Sequence, residues 1–239
     1  MYGTLIEKNI DFDKDVFRNI PSIIVSEDLL DDLSDSPADQ KVGETAVGQS
    51  KTYDGFQSNI ILRPFSYGTA ISDSRMARPV TRFSDGSQFG VWYGSLDLKT
   101  SVYETVFHWI AFIRDMLAQP DQEIIAERRV FNVHIAGILI DLRNKHIEYP
   151  ALISPTDYTF TNRLGAYLVT HGQSGLLVKS ARSEGVNAAI FTPKVLSNAR
   201  HYKYMAYRWA PGSAEVSIED PAGTAWFSLA LKSLPGMTL

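Results

Sequence analysis

Apolar residues recur at Val102, Tyr103, Val106, Phe107, Ile110, Ile113 and Leu117, the 3.6-residue spacing of a helix that turns one face to a core. This predicts a helix over residues 101–117, with Pro120 just past its end. Short apolar runs bounded by turn-forming residues predict strands at 60–62, 89–93, 130–133, 137–142, 175–179 and 188–191. The first of these leads into Arg63-Pro64-Phe65, where proline ends it. A second helix is read over 162–169, broken by His171-Gly172. Strands and helices mix with no regular strand–helix–strand repeat, so the expected fold is α+β, a mixed β core with flanking helices.

The two ends of the chain read differently from its middle. Residues 1–55 are taken as an N-terminal extension, with an apolar run at 20–25, an acidic stretch at 27–35 and a polar, loop-like stretch at 36–43. Within the acidic stretch Leu29, Leu30 and Leu33 would line a short helix capped by Ser26. Such a helix is either a solvated surface or a docking face for a partner or second subunit. Residues 56–200 are read as the domain proper. Residues 201–239, Tyr/Trp-rich and then Pro/Gly-rich, are read as a C-terminal packing tail.

Composition narrows the chemistry. A chain that is 44% hydrophobic and 21% charged can bury a substantial core. Its formal net charge of −4 gives it no overall basic field, so direct nucleic-acid binding is not expected. With no cysteine there is no disulfide, thiolate ligand or thiol nucleophile. No apolar run approaches the ~18 residues of a membrane helix. Glu7, Asp11, Asp13 and Asp15 replace the apolar region of a secretory signal, which makes the cytoplasm the expected location. Glycine-rich phosphate loops are missing. The run from Gly172 to Leu176 lacks the second glycine of a nucleophile elbow. His108, His134, His146, His171 and His201 have no zinc-binding spacing, and no metal is expected.

Between Arg82 and Glu104, an arginine leads through a glycine-containing loop into an aromatic strand. A short turn then delivers a glutamate to the first turn of the predicted helix. Glu104 shares a helix face with His108, Ala111 and Asp115, opposite the apolar stripe. Each of these residues also has a plainer local reading. Ser101-x-x-Glu104 is a capping box. Arg63 and Arg82 fit surface ion pairs, Tyr93 fits a strand core and Ser180 fits a turn. His108 is a weaker candidate for proton handling, beside the reading as a partly exposed structural histidine.

Taken in order, Arg63-Pro64-Phe65, Arg82-Phe83, Gly90-Val91-Trp92-Tyr93, Glu104, the run from Gly175 to Ser180, Arg182, Gly185-Val186-Asn187 and Phe191 resemble the RES family. That family is named for an arginine, a glutamate and a serine. The resemblance spans residues 59–196. Phe83 stands where the family usually has tryptophan, and either arginine fits the family's initial. What the resemblance implies is a core related to ADP-ribosyltransferases, with NAD⁺ as substrate and no further cofactor. It also implies a toxin whose partner is a helix-turn-helix antitoxin of the Xre type. Glu104, Arg82 and Tyr93 are then the expected catalytic residues, and Arg63, Arg82, Tyr93, Ser180, Arg182 and Asn187 the expected NAD⁺-binding ones.

The residue types suit that chemistry. Breaking the nicotinamide–ribose bond develops cationic charge on the sugar, which a carboxylate stabilises. Guanidinium forks match diphosphate oxygens. The expected activity is NAD⁺ consumption with water or phosphate as acceptor, causing growth arrest. Transfer of ADP-ribose to a protein and non-catalytic binding of an NAD-like ligand are the alternatives. An RNA-cleaving toxin has little support from the acidic balance and the missing histidine pair. Oligomeric state is left open.

Overall fold

One strand organises the sheet. The computed structural model describes residues 2–22, 80–116 and 122–237. The features expected at 27–35, 36–43 and 60–62, and Arg63, lie outside the described residues. Among the described residues the strands are β1 (Asn9–Pro21), β2 (Trp92–Ser95), β3 (Ile124–Leu142), β4 (Gly175–Lys179), β5 (Val186–Ile190), β6 (Leu196–Trp209), β7 (Glu215–Glu219) and β8 (Ala225–Ala230). Two longer helices, α1 (Leu98–Met116) and α2 (Thr159–Thr170), accompany them. The fold is α+β, as the mixed pattern predicted.

The strand order is β1-β2-β5-β4-β3-β6-β7-β8, and β1 also pairs with β3, from Asn9 opposite Ile140 to Pro21 opposite Arg128. Strands β1, β2, β5, β4 and β3 therefore close on themselves, with the β1–β2 link made at a single pair, Phe17 opposite Ser95. β3 serves three neighbours because β6 and β4 share one of its edges at different heights. Ile124 through Ile135 pair with β6, and Ile140 through Leu142 pair in parallel with β4. The two strands expected at 130–133 and 137–142 are one strand. His134, Ile135 and Ala136 do not interrupt it, since all three stay paired to β1, opposite Asp15, Lys14 and Asp13.

Alternation of side chains sorts three apolar clusters around this sheet. Ile140, Leu176, Val178 and Ala189 face α2, where Leu164 and Leu168 meet them together with Phe83 and Phe191. Leu139, Leu177, Ala188 and Ile190 point the other way, into the closed ring with Phe12, Val16 and Trp92. β4 is thus buried on both faces, which explains its unbroken apolar run. The third cluster sets α1 on the remaining strands. Val102, Val106, Ile110 and Ile113 pack on Tyr207, Trp209, Val216, Ile218 and Leu229. Each of those four helix side chains is at most 3% exposed, which stabilises the helix by roughly 1.5–3 kcal/mol apiece. The C-terminal stretch supplies much of the surface that α1 covers.

Polar contacts fix the start and the roll of α1. The helix begins at Leu98, and Asp97 caps it, its Oδ1 accepting from Thr100 N at 2.7 Å and its Oδ2 from Thr100 Oγ1 at 2.7 Å. Ser101 Oγ instead donates to Leu98 O at 2.7 Å. The Ser101-x-x-Glu104 capping box is therefore corrected: the start lies one turn earlier, and Glu104 sits in the second turn. Thr105 Oγ1 meets Tyr207 Oη at 2.9 Å, and Tyr207 Oη accepts from Asn19 Nδ2 at 2.8 Å. Arg128 Nε donates to Asn19 Oδ1 at 3.0 Å. This buried chain ties β1, β3 and β6 to the residue after Glu104. No helix among the described residues is long and apolar enough to cross a membrane.

Two outcomes are expected. A Cβ on Gly165 would lie 2.0 Å from the main-chain oxygen of Phe83. Gly165→Ala should cost about 1–3 kcal/mol in denaturant unfolding, whereas Gly3→Ala, with open space, should be neutral. Asp141, 3% exposed, receives Arg143 Nε at 2.8 Å and Lys8 Nζ at 2.7 Å. The Arg143 hydrogen bonds lead in holding its carboxyl well below the usual range, against the opposing effect of burial. A depressed folded pKa gives stability that is present above the ordinary aspartate value of ~3.9 and is lost as pH falls from there through the depressed folded value. Asp141→Asn should remove roughly 1.5–3 kcal/mol at neutral pH and flatten the acid limb of the stability curve.

Candidate functional site

Glu104, Ser180 and Asn187 come from α1, the end of β4 and β5, and they meet at one atom. Glu104 Oε1 accepts from Ser180 Oγ at 2.6 Å and from Asn187 Nδ2 at 2.6 Å. Both are short, as charge-assisted hydrogen bonds are. Among the described residues no hydrogen bond reaches Oε2. One carboxylate oxygen is anchored and the other is open.

The local chain explains each donor. Ser180 follows β4 in a tight turn whose ends are joined by Ser180 N donating to Gly185 O at 2.8 Å. Its buried hydroxyl accepts from Arg182 N and Ser183 N, both at 3.0 Å, and gives its one proton to Glu104. The hydroxyl is fully committed, so it positions the carboxylate and has no lone pair left for a nucleophilic role. Gly185 lets this turn approach α1: a Cβ there would stand 1.8 Å from Thr100 Oγ1. Asn187 lies in β5, opposite Ser95 of β2, and its Oδ1 accepts from Ser95 Oγ at 2.7 Å.

Arg82 and Tyr93 belong to a second group, organised by the loop before β2. Tyr93 Oη accepts from Phe83 N at 3.1 Å and donates to Thr81 Oγ1 at 3.1 Å. Burial of this hydroxyl end pushes the phenol pKa up to about 12, so Tyr93 stays protonated at neutral pH. Phe83 is fully buried against α2 and anchors this loop. Arg82 then reaches over residues 152–158. Its Nη1 donates to Ser154 O at 2.8 Å and Leu152 O at 3.3 Å, and its Cζ lies 4.7 Å from the ring centre of Tyr158. Among the described residues Nε and Nη2 of Arg82 have no acceptor.

Arg182 lies between the two groups and is only 2% exposed. Its guanidinium sits 3.4 Å from the ring centre of Phe107, donates to Pro155 O at 2.5 Å and also donates to Pro235 O. The C-terminal residues are thereby fastened to the floor of the site. Nε of Arg182 is buried with no partner among the described residues. His108, one turn beyond Glu104, keeps part of its surface in solvent. Desolvation by the surrounding protein still leads in lowering its pKa; Glu104 opposes this, while Arg182 and Arg82 add to it. Glu104, Arg182 and Arg82 thus all act electrostatically on His108.

Of the residues singled out in the sequence, Glu104, Ser180 and Asn187 are bonded directly, and Arg182 joins them through Ser180. Arg82 and Tyr93 adjoin through the 81–84 turn, and Arg63 lies outside the described residues. Sequence reading missed Ser95 and Tyr158. The first stands two places after Tyr93 with no motif of its own, and the second lies in a loop that only the folded chain brings to Arg82. Among the described residues no three His, Asp or Glu side chains gather closely enough to hold a metal ion.

With this geometry in view, comparison with known proteins defines the class. The RES domain family model matches residues 51–210, and the chain belongs to that family. Among solved structures, a chain in the crystal structure of the M. tuberculosis MbcT-MbcA toxin-antitoxin complex is similar at 12% identity and a TM-score of 0.45, over 81% of this chain and 86% of that one. No curated protein matches the chain.

Tyr93→Phe tests the loop that carries Arg82. It leaves Phe83 N without its acceptor and should cost roughly 1–3 kcal/mol in denaturant unfolding. In the native protein the raised phenol pKa stabilises the fold fully below the ordinary value of 10.0, and this is lost as pH rises toward about 12. The variant should lack that alkaline component.

Proposed function

We propose that this chain is a toxin that cleaves the nicotinamide–ribose bond of NAD⁺, transferring ADP-ribose to water or phosphate and so arresting growth. The observation that carries the reading is the asymmetry of Glu104, with Oε1 tethered twice and Oε2 without a hydrogen bond among the described residues. Such a carboxylate is fixed before substrate arrives, and fixed charge stabilises a developing cation without reorganisation cost.

In the reaction the C1′–N bond breaks and its electron pair leaves with nicotinamide, which departs neutral. Positive charge builds on the ribose, and Oε2 of Glu104 stabilises it or holds a ribose hydroxyl. Water adds to C1′ and loses a proton, giving ADP-ribose; phosphate adds in the same place. The unused donors of Arg82 suit the diphosphate, and Arg63 is the second candidate for that role. Arg182 contributes positive charge from below, and Tyr93 acts through the loop it pins and through its ring beside the site. No metal and no cofactor beyond the substrate enters this scheme. RES membership supports the toxin role and, with it, a helix-turn-helix antitoxin of the Xre type as partner, and the cytoplasm as the place of action.

Purified protein incubated with NAD⁺ alone should release nicotinamide and ADP-ribose, and added phosphate should yield phosphorylated ADP-ribose. Label appearing on lysate protein instead would replace this reading with protein ADP-ribosylation. Glu104→Gln should lower turnover on the order of 10²–10³-fold while NAD⁺ still binds. Expression in bacteria should slow growth, and Glu104→Ala or Arg82→Ala should relieve it. Undiminished toxicity in both variants would remove the site from the mechanism.

A further inference from the structure

Ser95 closes β2 and is 4% exposed. Its Oγ donates to Asn187 Oδ1 at 2.7 Å, from the position directly across the β2–β5 ladder. A carboxamide has two orientations that exchange its oxygen for its nitrogen, and only its hydrogen-bond partners decide between them. Glu104 Oε1, as a carboxylate oxygen, only accepts, so the Asn187 amide must turn its NH₂ toward it. Oδ1 is then left facing Ser95, and the serine hydroxyl must donate. The three side chains thus have one consistent arrangement: Ser95 to Asn187 to Glu104.

We propose that Ser95 is a positioning residue for the reaction, acting through Asn187 to hold Glu104 with its open oxygen turned to the ribose. The proposal rests on the NAD⁺-cleavage reading for its consequence and on geometry alone for its mechanism. Without the Ser95 hydroxyl, Oδ1 of Asn187 loses the donor that faces it inside the fold. A carboxamide left that way relieves itself by rotating, which withdraws Nδ2 from Glu104. Ser180 would then be the remaining tether on Oε1, and the carboxylate could swing about that single bond. Ser95 is itself held at the seam of the ring, opposite Phe17 of β1, so the orientation of the carboxylate is referred to the strand framework.

The test is a double-mutant cycle on the full chain with Ser95→Ala, Asn187→Ala and the pair, read by NAD⁺ turnover. Ser95→Ala should lower kcat about tenfold with KM changed less than about twofold, because the residue touches no substrate. In the Asn187→Ala background the same substitution should do nothing further. Ser95→Thr, which keeps a hydroxyl in a strand-favouring residue, should restore most of the activity. A second readout needs no activity: the side-chain amide signal of Asn187 in ¹⁵N spectra, identified by its loss in Asn187→Ala. It should shift in Ser95→Ala and keep its native position in Ser95→Thr. Independent, multiplying effects of the two substitutions, or an unmoved amide signal in Ser95→Ala, would overturn the proposal. If the native protein fails to turn over NAD⁺, the functional reading fails, and the amide signal still decides whether Ser95 orients Asn187.

Discussion

Oε1 of Glu104 receives two short hydrogen bonds, and nearly every long-range feature of the fold bears on whether those bonds can form. α1 must be rolled so that Glu104 leaves the apolar core. This is set by Val102, Val106 and Ile110 on one side and by the Thr105–Tyr207–Asn19–Arg128 chain beside it. β4 must end so that Ser180 turns back, which Gly185 allows by its close approach to Thr100. β5 must stand in register with β2 so that Asn187 is opposite Ser95. A carboxylate on one helix is therefore oriented by two strands that lie far along the chain.

Charge around this point is arranged with the same economy. Arg182 is buried beneath the site with carbonyl partners and an aromatic ring, and Arg82 holds a shallower place with donors to spare. Neither is bonded to Glu104, and among the described residues the carboxylate has no direct ion pair. The positive charges also act on His108, together with desolvation, to keep its imidazole neutral more readily than in water. Among the described residues, the result is a carboxylate with one oxygen free of hydrogen bonds and two arginines nearby that do not bond it.

Much of this was legible in the sequence, for physical reasons that differ by element. The α1 stripe was readable because Val102, Val106, Ile110 and Ile113 repeat at helical spacing and all face one core. β4 matched its apolar run residue for residue because both its faces are covered. The start of α1 was misjudged because Ser101 and Glu104 mimic a cap, while the side chain that does the capping, Asp97, lies one turn earlier. β3 was split in two because residues 134–136 separate two apolar runs when judged without β1 beside them. The site residues came from their order along the chain, yet order says nothing of bonding. That Ser180 and Asn187 share one oxygen, and that Ser95 stands behind Asn187, depends on strand register, which emerges only when the sheet is assembled.

Glu104 meets its two donors across separations of 76 and 83 residues. Its helix is roofed by strands that lie later still. During synthesis, then, the emerging polypeptide carries its acidic group long before it owns the hydroxyl and amide that aim it. The chain must be made through Asn187 before both tethers on the carboxylate can form. Stopping the growing chain anywhere before β5 would leave that acid without its amide partner.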